Sequence, residues 1–276
     1  MRYMLLRRSD PADEAGQPLS GAAREALAAY TRQMADAGIL RGCEHFLPST
    51  GGARLSLANG RATVADGPFP DTQELIAGFA VIDVASKNEA LDWAARWPPG
   101  DAGAAEVEVR LSGCPGGCAE VGAAAEAADA QGPRFAILLR SNRALEDEAA
   151  VARERLDALD AHNAAEARAG VLLGADGLRS SAFGARVKLA SGKLTVVDGP
   201  FTEIKEMIAG YWLIRAPALQ DAIAWATRNP YPDGPPVEVE IRQLAERAGA
   251  GAFAPAARTD GRPMRAQPAS GVQATP

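Results

Sequence analysis

Asp66-Gly67-Pro68-Phe69 recurs as Asp198-Gly199-Pro200-Phe201, 132 residues further along the chain, and that single offset organises everything around it. Held fixed, it lays Ile76-Ala77-Gly78-Phe79 on Ile208-Ala209-Gly210-Tyr211, Trp93-Ala94 on Trp225-Ala226, and Glu106-Val107-Glu108 on Glu238-Val239-Glu240. Upstream, Leu6, Arg8 and Ser9 fall on Leu138, Arg140 and Ser141. One offset sustained over a length of about 110 residues is the mark of a tandem duplication. The expected organisation is a first module over 1–111, a flexible linker over 112–133, a second module over 134–244 and a disordered tail over 245–276. Linker and tail are rich in Ala and Gly, the tail also in Pro and Arg, and neither carries enough apolar surface to offset its ordering entropy.

Each module reads as alternating strands and helices. Residues 2–8 and 134–140 are short apolar runs suited to buried strands. Helices follow at 21–37, with Ala23, Leu27, Tyr30 and Met34 at three- and four-residue spacing, and at 147–169 with Val151, Leu156 and Leu159. After a variable loop, Asn59-Gly60 and Ser191-Gly192 mark two-residue hairpin turns. Residues 77–84 and 209–215 suit central strands, 87–96 and 218–228 Trp-bearing helices, and 105–111 and 237–243 closing strands. The order β-α-β-β-β-α-β puts both helices on one face of an antiparallel sheet, a ferredoxin-like α+β module. The other face is left bare, and a tethered second copy covers it at high effective concentration. The expected fold is α+β, two such modules packed sheet to sheet as an intramolecular pseudo-dimeric α+β barrel.

Composition narrows the function. The chain of 276 residues is 47% hydrophobic and 23% charged. No apolar run approaches the roughly 18–20 residues of a membrane helix, so no membrane partner is expected. A net charge of −6 argues against a nucleic-acid partner, since phosphate contacts need a basic surface. The acidic excess lies in the first half: residues 1–132 hold 18 acidic and 11 basic side chains, the rest 17 and 18. Met1–Arg8 is too short for a secretory core, which makes the cytoplasm the expected location. Cys43, Cys114 and Cys118 are too few for a disulfide framework, and Cys114-Pro115-Gly116-Gly117-Cys118 lacks the two-residue spacing of a thioredoxin or zinc-knuckle turn. No metal-ligand spacing, phosphate loop or nucleophile elbow is present, so no cofactor and no metal is expected.

Asp198-Gly199-Pro200-Phe201-Thr202-Glu203-Ile204-Lys205-Glu206, followed by Ile208-Ala209-Gly210-Tyr211, closely resembles the signature of the YCII-related, or DGPF-domain, proteins. Asp66 to Glu74 resembles it less completely, without the lysine. The resemblance covers both modules and implies a dimeric α+β barrel. It also implies small-molecule lyase or dehydratase chemistry run by a His/Asp pair, and for some members an association with extracytoplasmic-function sigma factors.

In YCII-like proteins Gly-Pro-x-x-Asp carries the carboxylate, which corresponds to Asp71 and Glu203 here, and a histidine comes from near the first helix, where this chain has His162. Asp66 and Asp198 have two readings, as turn residues bonding local N–H groups or as acid–base groups at a pocket mouth. The candidate catalytic set is therefore Asp66, Asp71, Asp198, Glu203 and His162. His45 lies in the variable loop, where the second repeat has Gly177. Trp93 and Trp225 read as core anchors. Glu106 with Glu108, and Glu238 with Glu240, share strand faces that either line the barrel or meet solvent. The functions expected are a cofactor-independent lyase, dehydratase or isomerase acting on a small molecule, or a non-catalytic ligand-binding or sigma-factor-associated module. Further self-association through the outer surfaces stays open, as does a degenerate first repeat that only completes the barrel.

Overall fold

A computed structural model of the chain describes residues 1–115, 121, 132–232, 234 and 236–246. Most of the expected linker and nearly all of the expected tail lie outside the described residues. The first module runs β1 (Arg2–Arg8), α1 (Pro11–Glu14), α2 (Gly21–Asp36), β2 (Leu40–His45), β3 (Ala53–Ala58), β4 (Arg61–Asp66), β5 (Ile76–Asp83), α3 (Lys87–Ala95) and β6 (Ala104–Leu111). The second repeats it as β7 (Arg134–Arg140), α4 (Arg143–Glu146), α5 (Arg153–Arg168), β8 (Leu172–Gly177), β9 (Ala185–Ala190), β10 (Lys193–Asp198), β11 (Ile208–Arg215), α6 (Leu219–Arg228) and β12 (Val237–Gln243).

Two elements depart from the sequence expectation. The variable loop holds a strand in each module, β2 and β8, paired to the outside of β5 and β11. Leu40-Arg41-Gly42-Cys43-Glu44-His45 has no clean alternation because the pairing slips between Leu40 and Gly42, which breaks the period of two. The second long helix starts at Arg153 rather than 147, after the separate turn α4.

The larger departure is in connectivity. The two six-stranded antiparallel sheets run β10-β9-β6-β1-β5-β2 and β4-β3-β12-β7-β11-β8. Each module lends its hairpin to the other module's sheet: β3 pairs with β12, and β9 with β6. The hairpin turns themselves are as expected, with Asn59 and Gly60 at φ 53° and 71° and Ser191 and Gly192 at 51° and 73°, the left-handed pair whose twist suits a two-residue turn.

Apolar residues sort into three layers. Tyr3, Leu5, Tyr30, Met34, Trp93 and Trp97 fill the space between the first sheet and α2 and α3. Phe135, Ile137, Leu159, Trp212 and Trp225 do the same under α5 and α6. Between the sheets lie Met4, Leu6, Phe79 and Val81 of one module with Leu138, Leu173, Tyr211 and Leu213 of the other, the packing expected from the bare sheet faces. Phe79 and Tyr211, repeat equivalents, meet there with ring centroids 5.3 Å apart.

The Asp-Gly-Pro-Phe turn ends each lent hairpin. A Cβ on Gly67 would sit 1.8 Å from the Ser49 carbonyl oxygen, and one on Gly199 would sit 1.9 Å from that of Ser181, so only glycine admits the contact. The amides of Phe69 and Phe201 donate to Ser49 Oγ and Ser181 Oγ, both at 3.1 Å. Each phenylalanine ring lies under an arginine of its own hairpin, Arg54 at 4.2 Å and Arg186 at 4.1 Å.

Those arginines reach across the module boundary. Glu108 on β6, 2% exposed, accepts from Arg8 at 2.8 Å, Arg110 at 3.0 Å and Arg186 of the lent hairpin at 3.2 Å. Glu240 on β12, 1% exposed, accepts from Arg140, from Arg242 at 3.2 Å and from Arg54 at 3.2 Å. Of the four closing-strand glutamates, Glu108 and Glu240 are thus buried in charge clusters, whereas Glu238 is exposed and Glu106 meets Lys188 at the surface. Burial alone would raise the pKa of both buried carboxyls. Three guanidinium groups overcome it and hold Glu108 and Glu240 below the ordinary 4.5.

Removing one member of a buried cluster leaves the others uncompensated. Glu240→Gln is expected to lower the free energy of unfolding by roughly 3–5 kcal/mol at pH 7. A carboxyl with a lowered native pKa stabilises above its unfolded pKa and loses that contribution as pH falls through the native one. The gap between wild type and Glu240→Gln should therefore narrow in urea denaturation below pH 4.5. A loss under about 1 kcal/mol at pH 7 would show that the cluster does not hold the hairpin.

Candidate active site

The five residues expected to carry chemistry are scattered. Asp66 and Asp71 are exposed on either side of the first Gly-Pro turn. Asp198 is exposed and pairs with Lys87 Nζ at 2.8 Å. Glu203 is exposed, accepting from Thr202 Oγ1 at 2.7 Å and facing Arg186 at 3.4 Å. His162 stacks at 5.5 Å against Trp225, whose Nε1 donates to Glu166 at 3.0 Å. None of the five is among the residues that line the cleft described next.

A cleft lies in the second module, an open space of about 720 Å³ between α4, α5 and the ends of β8 and β11. Its walls are mostly apolar, among them Leu139, Leu145, Val151, Leu159 and Trp212. Its polar lining residues are Asp176 and Tyr211, on the sheet face turned to the first module, with Asn163 on the helix side and Glu148. Apolar walls with a few converging polar groups are the usual make-up of a small-molecule site.

Asp176 is the titratable centre. The β8–β11 register sets it directly opposite Tyr211, so both side chains leave the same face of the sheet. Gly177 follows, and a Cβ there would come within 2.9 Å of the Cys114 Cα, so glycine lets the segment after β6 close over the strand end. Cys114 is disulfide-bonded, so it is not the plain thiol expected from the sequence. Burial pushes the Asp176 carboxyl from 3.8 up to about 6, against the opposing charge of Arg2 and a backbone donor at Gly177. Burial together with the charge of Asp176 raises the Tyr211 phenol as well, which keeps it a protonated donor.

The first repeat shows what makes Asp176 distinct. Its counterpart Glu44 is 3% exposed and ion-paired to Arg134 at 2.6 Å. The equivalent of Arg134 is Arg2, which turns instead to Asp83, with Nε at 2.9 Å and Nη2 at 3.3 Å. Aspartate is one methylene shorter than glutamate, and among the described residues Asp176 makes no ion pair within 4.0 Å. Tyr211 is matched by Phe79, which has no hydroxyl. Glu148 at the rim is occupied by Arg179, with two contacts of 2.6 Å that hold its carboxyl below the ordinary range. The site was legible in one respect: the fixed offset sets Glu44 on Asp176, a carboxylate kept in both repeats. Nothing in the sequence distinguishes a locked carboxylate from an open one.

A carboxyl whose pKa rises on folding keeps its proton in the native chain where the unfolded chain has lost it, so native stability falls as pH rises through that window. Asp176→Asn is expected to match wild type near pH 3.5 and to exceed it at pH 8. A gain of about 1–2 kcal/mol is expected, after discounting for the part of the group that solvent reaches. Denaturation at the two pH values measures it, and equal stabilities at pH 8 would assign Asp176 an ordinary pKa.

No described helix is long and apolar enough to cross a membrane. In comparison with known proteins, residues 1–111 and 134–245 each match the YCII-related domain. A curated relative from Rhizobium meliloti (strain 1021), the uncharacterized protein R00369, is 43% identical over 68 residues, 25% of this chain and 55% of that protein. The chain thus spans little more than half the length of that relative. Two matched stretches that between them take in both sheets make this chain a member of the YCII-related family, with the domain present twice.

Proposed function

We propose that the chain binds a small, largely apolar molecule in the cleft of the second module and exchanges a proton with it through Asp176. The reaction class is one that a single carboxyl runs by proton transfer, an isomerisation or an elimination. One observation carries the reading: Asp176 lines an apolar cleft with its carboxyl pushed up to about 6, while its repeat twin Glu44 is tied down by Arg134. A general acid–base group works best with a pKa near the operating pH, and perturbed carboxyls in clefts concentrate at functional sites. Tyr211 stands opposite as a hydroxyl donor that remains protonated. In this reading the first module serves as the packing partner that completes the barrel.

The test is a direct titration. Carbon-detected NMR of the Asp176 carboxyl, assigned by its loss in Asp176→Asn, should give a midpoint near pH 6. Saturating acetophenone, a small apolar ketone, should move that midpoint, because a ligand in the cleft changes the solvation of the group. A midpoint near the ordinary 3.8, or one that acetophenone leaves in place, would count against the proposal.

A further inference from the structure

Asn163 lies within α5, has 4% of its surface exposed and lines the same cleft. Its Oδ1 accepts from Trp212 Nε1 at 3.2 Å. An indole N–H can only donate, so the carboxamide must turn its oxygen to Trp212 and its Nδ2 away. That Nδ2 makes no hydrogen bond among the described residues. Nor is it among the described polar atoms sealed from solvent without a partner, and Asn163 is a lining residue of the cleft.

Asparagine is a poor choice for a helix interior, and a donor without a partner in the protein adds nothing to the fold. The first repeat avoids both features. Thr31 stands at the equivalent position with its hydroxyl donated to Leu27 O of its own helix at 2.9 Å, and Ala80 stands where Trp212 does. The second module alone therefore has both the donor and the indole that orients it.

We infer that Asn163 Nδ2 is a ligand-contacting donor that selects an uncharged carbonyl compound with an apolar body. The carbonyl oxygen takes the free N–H, and the apolar part lies against Leu139, Leu159 and Trp212. An anion is disfavoured, since no Lys, Arg or His is among the described residues that line the cleft. A hydrocarbon of the same shape leaves the donor unpaired, a difference worth roughly tenfold in affinity. The inference rests on the cleft being the ligand site, as argued above, and adds the chemical class that it takes.

Acetophenone and ethylbenzene, similar in size and differing in the carbonyl oxygen, separate the two. Dissociation constants from NMR titration of wild type should favour acetophenone by about tenfold. Asn163→Asp keeps an acceptor for Trp212 but loses the donor, and should bring the ratio close to one. Asn163→Leu, checked for a native thermal transition, should do the same. Equal binding of both compounds by wild type, or a ratio that survives Asn163→Asp, overturns the assignment of Asn163 and leaves the cleft standing as a ligand site. Binding of neither compound overturns the cleft reading and this one with it.

Discussion

The buried glutamates Glu108 and Glu240, each held by three arginines, are the constraint on which the rest of the structure depends. Arg8 and Arg110 come from the same module as Glu108, but Arg186 arrives on the hairpin lent by the other module. The same is true, with the modules exchanged, of Arg140, Arg242 and Arg54 around Glu240. Neither cluster can be completed by one module alone. A buried carboxylate without its cations is strongly destabilising, so correct pairing of the hairpins and neutralisation of the interior are one event. The Asp-Gly-Pro-Phe turn belongs to this device. Its phenylalanine seats the hairpin arginine that reaches the glutamate, and its glycine lets the turn dock on the Ser49 or Ser181 backbone.

Once symmetry holds the frame, the two halves are free to differ elsewhere. At the edge strands the first module has Glu44 paired with Arg134, Phe79 without a hydroxyl, and Thr31 bonded within its helix. The second has Asp176, Tyr211 and Asn163 at the same places, and all three are among the residues that line the cleft. The difference comes from small changes in side-chain reach. A shorter carboxylate misses an arginine that Asp83 engages, a hydroxyl is added to one ring, and an amide replaces a threonine.

Much of the architecture was legible because its causes are local. Helix periodicity, the Asn59-Gly60 turn and the bare faces of the sheets follow from side-chain spacing and from backbone angles that few residues adopt. The exchange of hairpins was not legible. The residues of β3 alternate in the same way whichever β-strand they join, and Leu55 is fully buried in the partner's core as it would be in its own. Strands β2 and β8 escaped because a bulge in each pairing erases the period of two. The proposed cleft escaped for a related reason. The residues that stood out in the sequence, Asp66, Asp198 and their neighbours, stood out because a turn is a strong local signal, and turns are surface features.

The sequence by itself determined that this chain is a duplicated α+β module whose sheets must face one another, since a fixed offset and an uncovered apolar face allow no other economical burial. Only the tertiary structure decided which module each hairpin joins and which carboxylate stays open. Both depend on distances between residues far apart in the chain. Arg2 meets Asp83 and not Asp176, and Arg134 meets Glu44, through contacts that span 81 and 90 positions and leave no trace in local pattern.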